Sequence, residues 1–257
     1  MSAIYKRELR SFFINPIGYV YIGIFLTISS LICTYTTIQQ KTYSTSSFFT
    51  MLIMSFVVLI PLLTMRLFSE ERKLKTEQML LTAPVSITGM VFGKYLAALT
   101  VFASTLLFSC INFFPLYSLG IEESAATDYS YYHVGPVTSE IVGRLIGVFL
   151  IGAAIIAIGM FVSSLTENQL SAAVISIAVI LVMVGMGILN SIGSDSDGTR
   201  FIDNYAIRAI IDWVSIFSRF GNFSNGIFDF AALFYYLSLT GIFIFLTVRV
   251  YDRRRWA

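Results

Sequence analysis

The string GMVFGKY, Gly89–Tyr95, sets two glycines ahead of a lysine, the combination with which a loop wraps phosphate. That chemistry needs G-x-x-x-x-G-K-[ST] between a strand and a helix, so that backbone N–H groups cradle the phosphates and a hydroxyl holds magnesium. Here the glycines stand one residue too close, Tyr95 occupies the hydroxyl position, and no strand-like run precedes them. The chain is not expected to bind ATP by this motif. The only histidine, His133, stands near Glu122, Glu123 and Asp128 without metal-ligand spacing, and one histidine cannot supply H-E-x-x-H. Cys33 and Cys110 fall inside apolar runs and read as small packing residues. No catalytic, cofactor or metal site is therefore expected. What stays chemically conspicuous is RLFSEERKLKTEQMLLTAPVSITGMVFGKYL, Arg66–Leu96, a dense charge cluster in a chain poor in charge.

The elements that must position this cluster follow from composition. Hydrophobic residues make up 56% and charged ones 12%, about half the charge of an ordinary soluble domain, and the mean hydropathy is +0.79. The apolar residues come in runs long enough to cross about 30 Å of hydrocarbon, which takes about 20 helical residues. Six such runs stand at 17–38, 48–68, 91–119, 141–165, 170–189 and 230–250. The fold expected is all-α: one polytopic membrane domain over 1–257 with six transmembrane helices. Twelve of the 17 lysines and arginines lie on the side of the two ends, four on the other, and Arg144 sits inside a span. That bias places both termini in the cytoplasm, and the basic start reads as an uncleaved anchor. The charge cluster is then a cytoplasmic loop, 66–90.

Within that loop Glu71 precedes Lys75 by four residues, the favoured sense for a helical ion pair. Leu67, Leu74 and Leu81 repeat at seven and give a thin apolar stripe on a solvated helix, the pattern of a docking helix. Pro84 is expected to end it and Ser86 to cap the next helix. Gly89, Gly93 and Ala97 then form a small-residue packing face at i, i+4, i+8. A solvated positive-inside loop with no partner stands as the alternative.

The chain resembles the permease subunits of type-2 ABC exporters, in particular the branch holding gliding-motility permeases and the copper-maturation permeases of nitrous oxide reductase. Three blocks carry the resemblance. Ile4–Tyr21, IYKRELRSFFINPIGYVY, is similar to the family's amphipathic cytoplasmic helix (here 1–16) with a proline before the first span. In the loop, Glu70, Arg72, Thr76, Glu77, Leu80, Leu81, Pro84, Gly93 and Lys94 match the family's E-x-R, T-x-E-x-L-L-x-x-P and G-K pattern. Phe223–Trp256 resembles the last span and basic tail. Relatives commonly place glycine directly before the Thr-Glu pair, where this chain has Lys75.

The resemblance implies that residues Glu70, Arg72, Thr76, Glu77, Leu80, Leu81 and Pro84 belong to a coupling helix. Such a helix docks on a separate ABC ATPase subunit, which holds the ATP and Mg, while this chain binds no cofactor itself. It further implies a second permease chain, a surrounding of membrane lipid, no nucleic-acid partner, and a place in the cell membrane of a bacterium. Short outer helices cap the pathway in such exporters, and the outer segment 191–228 fits such a re-entrant or interfacial helix, with a plain interfacial helix of no gating role as the alternative. Arg208, Asp212, Ser215 and Arg219 make a polar stripe there, opposite an apolar one of Ile207, Ile210, Ile211, Val214 and Phe217 with Trp213. Its helix is expected over about 204–220, with bends at Gly221 and Asn225-Gly226.

Asn112, Arg144 and Asn190 are polar groups in or at the ends of apolar spans. They are candidates for lining a pathway, with interhelical hydrogen bonding as the alternative for the asparagines. Arg144 stands four residues after Glu140, which suits a paired arginine. Two other functions compete with ATP-driven export. An ion-gradient-driven secondary transporter normally needs ionisable residues near the midplane, and none is read there; a non-transporting membrane assembly or anchor subunit is the other. The topology is tested by single cysteines. At Lys75 and Asp252 they should be shielded from an impermeant thiol reagent in intact cells, and at Asp197 they should react; labelling at Lys75 from outside would overturn the six-span arrangement.

Overall fold

Hydrocarbon offers no water to an unpaired backbone group, so each long apolar run has to close its hydrogen bonds within itself, as a helix. A computed structural model describes residues 2–39, 44–76, 78, 86–118, 136–192, 215–216, 219–224 and 229–256, and among them helices are the only regular elements. Helix α1 is Ser2–Ile14. Asn15 is extended (φ −80°, ψ 142°) and Pro16 opens α2, Pro16–Cys33, which widens into a π turn at Thr34–Ile38. The turn between α1 and α2 is so tight that a Cβ on Gly18 would meet the Phe12 carbonyl oxygen at 2.2 Å. Next come α3, Ser46–Thr64, and the short α4, Ser69–Lys73. Helix α5, Ile87–Ser109, runs on through a 3₁₀ turn at Cys110–Phe113. It is followed by α6, Thr138–Leu165, and α7, Gln169–Ile192. The short α8, Phe220–Ser224, precedes α9, Phe230–Trp256.

Among the described residues six helices are long and apolar enough to cross a membrane, at the six expected places. An even number of crossings returns the chain to the face it started from, so both ends share the basic face.

Helix α6 is the axis of the bundle. Its most apolar window is 78% buried, against 22% for α7 and 28% for α2, so the other helices pack around it. Small residues on α6 admit large neighbours: Gly152 faces the Phe102 ring and Gly159 faces Thr64. Phe102 also meets Phe56 edge-on at 5.3 Å between centroids and Phe25 at 6.3 Å, which joins α5, α3 and α2 into one aromatic core.

At the end of the bundle away from the basic face, Tyr236 donates from its hydroxyl to the Ile216 carbonyl at 2.7 Å, and Phe223 packs on Gly147 of α6. Of the expected outer helix over about 204–220 only 215–216 and 219–220 are described, and of these only Phe220, the first residue of α8, is helical; Asn225-Gly226 lies outside the described residues. Gly221 is no bend: it lies within α8.

A Cβ on Gly159 would sit 2.3 Å from Thr64 Oγ1 and 3.0 Å from its Cβ. That hydroxyl already donates to the Ile60 carbonyl at 3.1 Å and cannot swing away without losing the bond. Gly159→Ala should therefore lower stability by about 1–3 kcal/mol, the usual effect of overpacking. Gly241→Ala, with nothing within 4 Å, should not. Unfolding of the two variants in detergent micelles checks the pair.

Candidate functional site: a polar node on the basic face

Lys94 stands two turns into α5 on the face that α1 and the 66–76 segment cover, and it is 1% exposed. An ammonium out of water needs all three of its protons bound. Here Nζ donates to the Leu67 carbonyl at 2.9 Å, lies 2.9 Å from Glu71 Oε1 and 3.3 Å from Glu8 Oε1. The Phe68 ring stands 5.2 Å away on another side. Three elements thus meet on one charge: α1 through Glu8, α4 through Glu71, and α5 itself. Arg7 closes the group, at 2.7 Å from Glu8 and 3.2 Å from Glu71.

Burial raises the Glu8 carboxyl's pKa, and the charges and hydrogen bonds of Lys94 and Arg7 more than offset it, so it titrates below the ordinary carboxylate value. Arg7 is raised in turn, chiefly by its hydrogen bond to Glu8. Helix α1 is seated by packing as well: Ile4 lies against Gly93, where a Cβ would meet it at 3.1 Å, and Tyr5 and Thr100 hydroxyls are 3.1 Å apart.

The start of α4 is held from a different helix. Ser163, near the end of α6, accepts from the N–H groups of Phe68 at 3.2 Å and Ser69 at 3.3 Å and donates to the Met65 carbonyl at 3.2 Å. One proton and two lone pairs are all used. Phe68, the capping position, makes no side-chain cap of its own, so α6 caps α4. The exchange runs both ways. Arg72 donates to the Leu165 carbonyl at 3.0 Å and pairs with Glu167 at 2.8 Å, and Arg254 of α9 donates to the Ser164 carbonyl at 2.7 Å. Carbonyls at a helix end lack partners within the helix and are favoured by cations. Tyr251 of α9 completes the node, its ring 4.8 Å from that of Phe68.

The structure alters the reading of the loop in two ways. Helix α4 is five residues long and stops at Lys75, which has φ 57°. Thr76 N–H bonds the Glu71 carbonyl at 2.9 Å and Lys75 N–H the Arg72 carbonyl at 3.1 Å. This pair of bonds is the Schellman stop, and Lys75 holds the left-handed position that glycine fills most easily. It is also the position at which the resembling permeases commonly carry glycine. The leucine stripe consequently does not exist as one helical face: Leu67 is buried before α4 begins, Leu74 is 64% exposed, and Leu81 lies outside the described residues. Glu71, expected to pair with Lys75, instead pairs with Lys94 and Arg7.

Of the other expected site residues, Glu70 forms a bidentate pair with Arg66, both contacts at 2.7 Å. Thr76 donates from its hydroxyl to the Glu71 carbonyl at 3.3 Å. Glu77, Leu80, Leu81 and Pro84 lie outside the described residues. Ser86 caps α5 as expected, accepting from Gly89 N–H at 3.3 Å, and Gly89, Gly93 and Ala97 are all buried. Asn112 and Arg144 belong to the opposite end of the bundle. Asn112 donates to Ser29 Oγ at 3.1 Å, and Ser29 also bonds Ser109. Arg144 is buried between Glu140 at 2.8 Å and Thr45 Oγ1 at 2.5 Å. Asn190 falls in the last turn of α7. His133 and its acidic neighbours lie outside the described residues, and among the described ones no cluster of three metal-ligating side chains occurs.

The sequence model of the ABC-2 family transporter proteins matches residues 27–250. The chain belongs to the ABC-2 transporter family. The match is to the family at large and does not extend to a branch within it. Among curated proteins none matches the chain. This ABC-2 protein is thus a multi-pass membrane component of a transport system, and its polar node lies at the base of spans that the family match covers. Helix α1 lies before the matched residues and is joined to them by the node.

Removing Lys94 leaves the largely buried Glu8 and Glu71 to share the one half-exposed cation of Arg7, so Lys94→Ala should cost about 3 kcal/mol, the low end of the range for breaking a buried pair. The pH dependence has a fixed sign. Glu8 titrates lower in the folded protein, so its contribution is complete above the ordinary value of 4.5 and is lost as pH falls through the lower folded value. Melting curves in detergent should show this acid loss, and Glu8→Gln should flatten it; an unchanged slope would remove Glu8 from the node.

Proposed function

We propose that this ABC-2 protein is the permease subunit of an ATP-driven exporter. Two permease chains enclose the pathway, and separate ABC ATPase subunits, which carry the ATP and Mg, dock beneath the 66–90 segment. The observation that carries the reading is how that segment is anchored. Its first part is bonded to α1, α5 and α6 and packed on α9, so a displacement of α4 is passed to the helices rather than absorbed by a slack loop. A solvated charge run with no role in transmission would have no need of a buried ammonium and a cap supplied by another helix.

On this reading Glu77, Leu80 and Leu81, which follow the Schellman stop, meet the ATPase, and Glu70, Arg72 and Thr76 hold the base. The apolar faces of α2 and α7, with Leu31, Tyr35, Val174 and Leu181 exposed, are available to lipid or to the second permease chain. The setting is the plasma membrane of a bacterium. The likeness to the gliding-motility and nitrous-oxide-reductase branch rests on the three sequence blocks alone.

The test is reversal of one charge. Glu77→Arg should leave membrane insertion intact and abolish either co-purification of the ATPase or transport-linked hydrolysis, by at least tenfold. Unchanged assembly and transport would remove Glu77 from the interface, and uptake driven by an ion gradient without ATP would overturn the ABC reading as a whole.

A further inference from the structure

Helix α1 has two faces, and the node uses one of them. Ile4, Tyr5, Glu8 and Phe12 turn toward the bundle, while Lys6, Arg10, Ser11, Phe13 and Ile14 are exposed. On the exposed side lies an open groove of about 560 Å³, lined by Lys6, Arg7, Arg10, Ser11, Ile14 and Asn15. The first five fall in two neighbouring rows at four-residue spacing, 6-10-14 and 7-11, so they share one side of α1, and Asn15 follows at its end. Lys6 and Arg10 have no ion-pair partner among the described residues. Arg7 is bonded to Glu8 and Glu71 and forms the groove's link to the node.

The groove changes character along its length. It is cationic at its N-terminal end, hydroxyl-bearing at Ser11 and apolar at Ile14, which is 68% exposed. Beyond it come Tyr19, 60% exposed and edge-on to Phe13 at 5.9 Å, and Val20, 52% exposed, both on α2 where the chain enters hydrocarbon. Aromatic residues gather at such membrane interfaces. A surface that passes from cations through a hydroxyl to apolar side chains, continuous with a lipid-facing span, has the polarity profile of a phospholipid read from headgroup to acyl chain. An acidic protein surface would match the cations but would leave Ile14, Phe13 and Tyr19 uncovered. We propose that this groove binds the headgroup of an anionic phospholipid in the leaflet at the basic face, its phosphate on Lys6, Arg10 and Ser11 and its acyl chains along Ile14 and Tyr19. The site lies outside the family-matched residues and stands independently of the coupling reading.

The full chain in a zwitterionic detergent supplies the test, with the melting midpoint followed during titration by dioctanoyl phosphatidylglycerol. The lipid should raise the midpoint saturably, while dioctanoyl phosphatidylcholine at the same concentration should not. Each cation near an anionic surface contributes about fivefold in affinity, so Lys6→Gln with Arg10→Gln should shift the titration about thirtyfold. Lys73→Gln with Arg253→Gln removes the same charge from exposed positions elsewhere on the basic face and should leave the titration unchanged. Should the first pair fail to fold, Ser11→Glu, which sets a carboxylate in the groove, should weaken binding in the same sense. Equal weakening by both double variants would reduce the effect to diffuse charge attraction and overturn the site. So would an equal midpoint rise with inorganic phosphate, which would make it a free-anion site, or with poly-L-glutamate, which would make it a face for acidic protein. Absence of any rise with phosphatidylglycerol would overturn it outright.

Discussion

The arrangement of the basic face depends on one buried ammonium. Lys94 belongs to an apolar helix and is almost without solvent, so its charge is tolerable only if acceptors are brought to it. The Leu67 carbonyl is available because α3 has ended at Thr64 and the chain is turning, which frees that oxygen from a helical bond. Glu71 and Glu8 supply the negative charge. Each comes from a separate element, so α1, the turn after α3 and α4 must all be in place together. A shift of any one of them takes an acceptor from the buried ammonium.

From this point the chain's polar contacts lead inward to the most buried helix. Ser163, Leu165 and Ser164 are successive groups at the end of α6, and they bond α4, Arg72 and Arg254. Along its length α6 is packed through Gly152 on Phe102 and Gly159 on Thr64 with no free space between. A close-packed interior transmits displacement rather than absorbing it. The bonds at the end of α6 and the packing along it are therefore two halves of one mechanical connection between the basic face and the membrane interior.

The parts of this that were legible in the sequence are those set by the solvent. Hydrocarbon-length runs gave six spans because lipid admits no other local solution, and Ser86 marked the start of α5 because a helix's first N–H groups need an acceptor. The pairing of Glu71 was not legible from spacing. The four-residue rule favours Lys75, but an exposed helical pair contributes about 0.3–0.5 kcal/mol, and a buried ammonium without its partner costs several. The long-range pair wins on magnitude. The signal was present, since a lysine inside a span-length run requires a partner. Ser163 gave no signal at all: a serine at the end of an apolar run looks like any other, and only the approach of α4 gives it a role.

The false leucine period has a separate cause. It spans a break that depends on one backbone angle, and Lys75 is a residue type that does not announce a left-handed turn. For a residue with a Cβ that conformation costs about 1–2 kcal/mol, and here it is held by the two bonds of the Schellman stop and by the anchoring of Glu71, whose carbonyl receives one of them. The side chain of Glu71 binds Lys94 and its carbonyl stops the helix, so the same residue fixes where α4 sits and where it ends. The strain at Lys75 accordingly falls at the border between the part of the segment bound to the bundle and Gln78, which is exposed. A stop placed there marks where the part of the segment fixed by the bundle ends.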